Sequence, residues 1–551
     1  MTDLHKSKPF VWALFILFCL LWLFMLDART LVPTDEGRYA EMGREMVASG
    51  DWITTRLNGI KYFEKPPLQT WMNAITFELF GLGDWQARLW TGLCGLLGIV
   101  LTWHAGRRVF NERVGFYAGT VLASSFLWAA LGHINTLDMG LSSMMTIALC
   151  ALLIAQRDTA SAAERRNWML ACWAGMALAV LSKGLIGLVL PGAVLVIYSL
   201  AARDFAIWKR LHIGKGLLLF FAITTPWFVL VSLKNPEFPQ FFFIHEHFQR
   251  FLTKTHHREG PWHYFIPLLV LGIMPWLGVL AQSLFGGLRD ASGATFKPKR
   301  MLLIWAGFIF FFFSVSGSKL PSYILPIFPA LALLVAAYWE NAQRRQQMIA
   351  AGLITAMGVI GLAFVPAIAK LPKEVLEIPL YEAYQPWVVA GTLIAIIGCM
   401  LALFAAKRNQ RDLSVVLLAI TGFLAGQVLM LGHNPLGHYV SGLPLVPAIN
   451  AELTPGTKIY ALAHYDQTMP FYLRRTMTLV ENPDEFEFGL KQQPHLWLPT
   501  REAFIAEWIA GPKAIAITRP DVYADLQKRG VPMRLVTQDA RRVVIASDVK
   551  K

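Results

Sequence analysis

The sequence predicts an α-helical polytopic membrane protein of about thirteen transmembrane helices, ending in a small α/β domain. Three observations predict it. Apolar residues fill 55% of the 551 positions and charged residues only 16%, with mean hydropathy +0.46, where a soluble domain carries about 25% charge. Apolar runs of span length recur as far as residue 432 and then stop. Basic residues gather in alternate connections between those runs. A wholly soluble enzyme, a disordered chain and a fibrous repeat are thereby excluded. The 50 Lys+Arg against 36 Asp+Glu, a net +14, speak of membrane sidedness, and no nucleic-acid partner is expected.

A span needs about 20 mainly apolar residues. The runs that qualify are 9–28, 88–106, 114–132, 138–156, 167–182, 184–201, 215–233, 263–286, 301–317, 322–339, 347–369, 386–406 and 413–432. The first reads as a retained span, because no small-residue cleavage site follows it. The run Leu68–Phe80 is shorter and holds Gln69, Asn73 and Glu78. If it stays outside the bilayer, the connections bearing Arg107/Arg108/Arg113, Arg157/Arg165/Arg166, Arg203/Lys209/Arg210/Lys215, Arg289/Lys297/Lys299/Arg300, Arg344/Arg345 and Lys407/Arg408/Arg411 all share one side with Lys6 and Lys8. That side is the cytoplasm. Leu68–Phe80 is therefore predicted to be an outer interfacial helix, with a second over about 36–48.

Thirteen crossings put the N-terminus in the cytoplasm and everything beyond about 433 in the periplasm. The transmembrane domain is thus 1–433 and the periplasmic domain 434–551. In the tail, Lys458–Ala463, Met477–Glu481, Ala514–Thr518, Met533–Val536 and Val543–Ala546 read as strands, and Arg501–Ile509 and Pro520–Arg529 as helices. His433–Gly437 reads as a hinge. The five cysteines, Cys19, Cys94, Cys150, Cys172 and Cys399, all lie in apolar runs without CxxC spacing, so neither a disulfide framework nor a cysteine zinc site is expected.

The outer loops carry the unusual residues: Thr34-Asp35-Glu36, Glu64-Lys65-Pro66, Thr136-Leu137-Asp138, Ser182-Lys183-Gly184, His245-Glu246-His247 with Arg250, and Lys319 with Tyr323. Each has a bland reading. Asp35 and Asp138 stand where helix caps would. Lys183 stands where a lysine would snorkel, and loop histidines are usually just solvated. Their common sidedness is what favours a site.

No GxxxxGK[ST] loop or dinucleotide fingerprint appears, so no nucleotide cofactor is expected. An enzyme working on the outer face needs a preactivated donor, and a polyprenyl phosphate-linked sugar suits a membrane site. Lys65, Arg250 and Lys319 can hold its phosphate. Asp35, Glu36, Glu64 and Asp138 can face sugar and acceptor.

The stretches 34–52, 62–71, 136–140, 245–251 and 317–326 resemble the polyprenyl phosphate-sugar glycosyltransferases of the GT-C class. Within that class they are most similar to the family that transfers 4-amino-4-deoxy-L-arabinose from undecaprenyl phosphate to lipid A. The resemblance implies an inverting transferase in the bacterial inner membrane. It implies an undecaprenyl phosphate-linked aminoarabinose donor, a lipid A acceptor and polymyxin resistance. It implies that Lys65, Arg250 and Tyr323 hold the carrier phosphate and that Asp35 and Asp138 approach the sugar or acceptor. Glu64 and His245 resemble the family's divalent-metal site, with zinc as the metal. Membrane lipids are expected partners, and no obligate protein partner is. Competing readings are a related protein O-mannosyltransferase, a lipid transporter or flippase, and a scaffold working through its tail.

Overall fold

The computed structural model describes residues 3–249, 260–288, 294–371, 377–481 and 483–547. The chain divides into two compact units. A helical unit comprises Met1–Leu26, Arg88–Ile368 and Gln385–Gly432, and a second unit comprises Asp27–Ala87, Ala369–Tyr384 and His433–Lys551.

Every one of the thirteen apolar runs is helical. Among the described residues, nine helices are long and apolar enough to cross a membrane, and a bent pair makes a tenth. That pair, Phe265–Gly272 and Leu277–Leu288, turns through 106° at a break containing Pro275, which has no N–H to continue the helical ladder. The run 114–132 is interrupted too: Glu112–Ser124 ends at an extended Ser125 and Phe126–Leu131 restarts beyond it.

Helices facing the surroundings carry bare apolar side chains, such as Trp12, Leu20 and Phe24 on Lys8–Phe24. Leu137–Ala155, apolar on every side, is enclosed almost completely. It packs on Ala162–Lys183, where Gly175 lets the backbones meet: a Cβ there would lie 2.7 Å from the Ala148 nitrogen.

In the second unit, Asp35–Ser49 and Leu68–Phe80 are both helical, as expected. Between them β1 (Arg56–Leu57) and β2 (Ile60–Lys61) form a hairpin. Asn58 and Gly59 at its tip have φ of 57° and 75°, the left-handed pair that a two-residue turn requires.

The tail forms one six-stranded sheet from β3 (Lys458–Leu462), β4 (Thr478–Val480), β5 (Trp497–Leu498), β6 (Ala514–Thr518), β7 (Arg534–Gln538) and β8 (Val543–Ala546), in the order β5-β4-β3-β6-β8-β7. The first four neighbours in that order run parallel, while β8 and β7 join antiparallel. Five strands fall at the five segments that read as strands in the sequence. β5 is not marked in the sequence, because two residues are too short a run to read as a strand. Helices Arg501–Ala510 and Pro520–Lys528 also agree. The proposed hinge begins a helix instead, Asn434–Ser441, with Pro435 in its first turn, where a missing N–H leaves no bond unmade.

Candidate active site

In the helical unit, Thr136 caps Leu137–Ala155 by accepting the Asp138 N–H at 3.3 Å. The Asp138 carboxylate is thereby released from capping. It is buried, ion-paired with Lys183, and accepts the Ser322 hydroxyl at 2.8 Å. Lys183 also sits 4.5 Å above the Tyr323 ring. The lysine at the end of Ala162–Lys183 is thus a counter-charge for Asp138 and not a snorkelling residue. Its place beside Asp138 was hidden from the sequence, because the two lie 45 positions apart.

Lys319 is only 6% exposed. Its ammonium donates to the carbonyls of Ser314 at 2.7 Å, Ser316 at 2.8 Å and Phe313 at 3.4 Å, and burial holds its pKa below the usual lysine value. It therefore closes the end of Pro298–Val315, whose last carbonyls have no helical partner. His245 is exposed and stacks on Phe241, ring centres 5.2 Å apart. Arg250 lies outside the described residues.

In the second unit, Asp35 and Glu36 open the helix Asp35–Ser49 but part company at once, since successive helical residues point about 100° apart. Glu36 is buried and accepts two bonds from Arg29, at 2.9 and 3.2 Å, and one from the Val32 N–H at 3.0 Å. Asp35 stays about one-third exposed and pairs with Arg38 at 3.1 Å. Arg38 also pairs with Glu485 at 2.8 Å, and Glu485 accepts the Tyr62 hydroxyl at 2.9 Å. Burial raises the Glu485 pKa while Arg38 opposes the shift. Arg38, Tyr62 and Glu485 were not singled out from sequence. Arg38 and Tyr62 lie within the stretches 34–52 and 62–71, and nothing marks Glu485 in a tail without motifs.

Glu64 and Lys65 follow the hairpin, and the Lys65 ammonium donates to the Glu64 carbonyl at 2.9 Å. Deeper in this unit Glu41 pairs with Arg44 at 2.6 Å. Glu45 accepts the Asn58 and Gly59 N–H groups and shares a hydrogen bond with Glu41. Burial is the largest cause pushing the Glu45 pKa up to about 8.

For a metal, the described residues contain one convergent triad, Asp3, His5 and Asp412, with ligand atoms within 4.8 Å of one another. It is knitted into its own hydrogen bonds and an ion pair instead: His5 meets Asp412 at 2.6 Å, Arg113 pairs with Asp3 at 2.6 Å, and Tyr117 donates to Asp412 at 2.5 Å. This chemistry suits a closed polar network better than a cation site.

Residues 445–547 match the family model described as aminoarabinose transferase C-terminal domain, and 64–230 match that of dolichyl-phosphate-mannose-protein mannosyltransferase. An undecaprenyl phosphate-α-4-amino-4-deoxy-L-arabinose arabinosyl transferase from Proteus mirabilis is 34% identical, over 83% of this chain and 77% of its own. The chain belongs to the aminoarabinose transferase family. A relative of the same name from Edwardsiella ictaluri is 30% identical over 86% of both chains. The crystal structure of ArnT from Cupriavidus metallidurans bound to undecaprenyl phosphate superposes with TM-score 0.94, at 40% identity over 99% of both chains. As an aminoarabinose transferase, the chain is a multi-pass membrane glycosyltransferase.

Proposed function

We propose that this transferase moves 4-amino-4-deoxy-L-arabinose from undecaprenyl phosphate to a phosphate of lipid A, at the periplasmic face of the inner membrane. The end-to-end likeness to an enzyme crystallised with undecaprenyl phosphate carries this reading. The aminoarabinose-specific match over 445–547 favours it over protein O-mannosyl transfer.

The acceptor phosphate is already anionic near neutral pH, so the reaction asks for positioning more than deprotonation. The acceptor oxygen bonds to the anomeric carbon while the bond from that carbon to the carrier phosphate breaks, inverting the centre. Lys65, Arg250 and Tyr323 meet the departing phosphate. Lys319, its N–H groups spent on carbonyls, contributes charge. Asp138, held by Lys183 and Ser322, and Asp35, held by Arg38, face the cationic amino sugar and its developing positive charge. Glu36 anchors the turn that aims Asp35. Glu64 and His245 would supply ligands if a divalent cation binds, with zinc as the candidate, and the cation would then neutralise phosphate charge. Two protein ligands would leave the remaining positions to water or substrate. The N-terminus is cytoplasmic, 1–433 form the catalytic membrane domain and 434–551 a periplasmic domain. Amino-sugar capping lowers the negative charge of lipid A and weakens attraction of polymyxin.

The test is transfer by purified protein in vesicles, with undecaprenyl phosphate-linked aminoarabinose as donor. Mass spectrometry should show the amino sugar on lipid A and none on a Ser/Thr peptide. Asp35→Asn and Lys65→Ala should each cut turnover by roughly 100-fold or more with helical content unchanged. Glu64→Ala or His245→Ala should lower bound zinc. Peptide glycosylation, or full activity in either of the first two variants, overturns the assignment.

A further inference from the structure

Two open grooves that share Gln343 lie side by side at helix ends of the membrane unit. One, of about 570 Å³, is bordered by Arg344, Arg345, Met348, Ile349 and Leu403. The other, of about 270 Å³, is bordered by Lys299, Tyr338 and Asn341. Five helix ends meet there: the last turns of Leu277–Leu288, Pro321–Trp339 and Ile378–Lys407, and the first turns of Pro298–Val315 and Arg344–Phe364. Span ends place a groove at headgroup depth.

Its chemistry is two-sided. Met348, Ile349 and Leu403 make an apolar wall, and Ile349 is more than half exposed. Arg344 and Arg345 are exposed at the rim, and no carboxylate lines either cavity. Glu340, nearby in sequence, has its carboxylate engaged by Asn111 at 2.7 Å. The Tyr338 hydroxyl is buried with no hydrogen-bond partner, a state that costs free energy unless something supplies one. Guanidinium forks match phosphate oxygens, and basic pockets between membrane helices take anionic headgroups.

We propose that this groove is a binding site for an anionic phospholipid. The phosphodiester lies against Arg344, Arg345 and Lys299, the polar headgroup reaches the Tyr338 hydroxyl, and an acyl chain runs along Met348, Ile349 and Leu403.

The full-length protein is delipidated in detergent and titrated with phosphatidylglycerol, phosphatidylcholine or glycerol phosphate by native mass spectrometry. One phosphatidylglycerol should be retained preferentially, phosphatidylcholine should not be, and glycerol phosphate should not compete. Arg344→Gln/Arg345→Gln should weaken retention about thirty-fold. Tyr338→Phe, which removes one buried oxygen without altering shape, should weaken it several-fold. Lys209→Gln/Arg210→Gln, an equal charge loss elsewhere, should leave it unchanged. Equal loss in that control would reduce the effect to general basicity and overturn the site. So would equal retention by Arg344→Gln/Arg345→Gln, or competition by glycerol phosphate.

Discussion

Glu45 accepts the N–H groups of Asn58 and Gly59 and shares a hydrogen bond with Glu41, while Arg44 and Tyr465 also face it. Its folded pKa of about 8 lies above the ordinary glutamate value of 4.5. Between those values the folded chain binds more protons than the unfolded one, so this group's contribution to stability is complete below pH 4.5 and is lost as pH rises towards 8. Thermal stability in detergent should therefore fall over that window, and Glu45→Gln should flatten the fall. An unchanged slope would show that the pair does not titrate there. At this scale the sequence showed Asp35, Asp138 and Lys65 because rare charges on one membrane side stand out. It could not separate Asp35 from Glu36, nor foresee that three carbonyls would occupy Lys319, since partner choice is decided by packing between distant segments.

The hairpin of β1 and β2 is the element that leads into Glu64 and Lys65. Asn58 holds its tip twice over, donating to the Met477 carbonyl and accepting the Met477 N–H, both at 2.7 Å. Asn58→Ala loses both bonds and puts a methyl-bearing residue at φ 57°, a cost of about 2–4 kcal/mol. Asn58→Gly loses the bonds but accepts the backbone, so it should be the milder variant by about 1 kcal/mol. Thermal unfolding of the two measures the difference, and equal losses would place the whole effect in the hydrogen bonds. Elements with a strong period were legible: thirteen apolar runs became helices, and five strands of the tail were in place. The sharp bend within 265–288 escaped because uniform apolarity hides a break, although Pro275 was there to signal it.

For the whole molecule, composition announced the membrane class, and the end of the apolar runs announced a separate tail. What it did not announce is that the second unit gathers three stretches, 27–87, 369–384 and 433–551. Discontinuous units leave no mark in a linear pattern, since each stretch looks locally like a loop or a small domain. Ending the chain after Gln538 removes β8, which joins β7 to β6. Limited proteolysis of that variant should cut within 27–87 as well as in the tail. Protection of 27–87 would mean that this stretch holds its shape alone.

The same three-part assembly sets a timetable for biosynthesis. Residues 27–87 leave the ribosome early, yet the strands that complete their unit come last, a wait on the order of a minute at bacterial elongation rates. During that interval the emerging segment is vulnerable to cleavage and wrong pairing. Its two helices and Asn-Gly turn can only begin from nearby residues, because short helices are marginal alone and the turn is held by Met477, so the segment is fixed when the tail arrives.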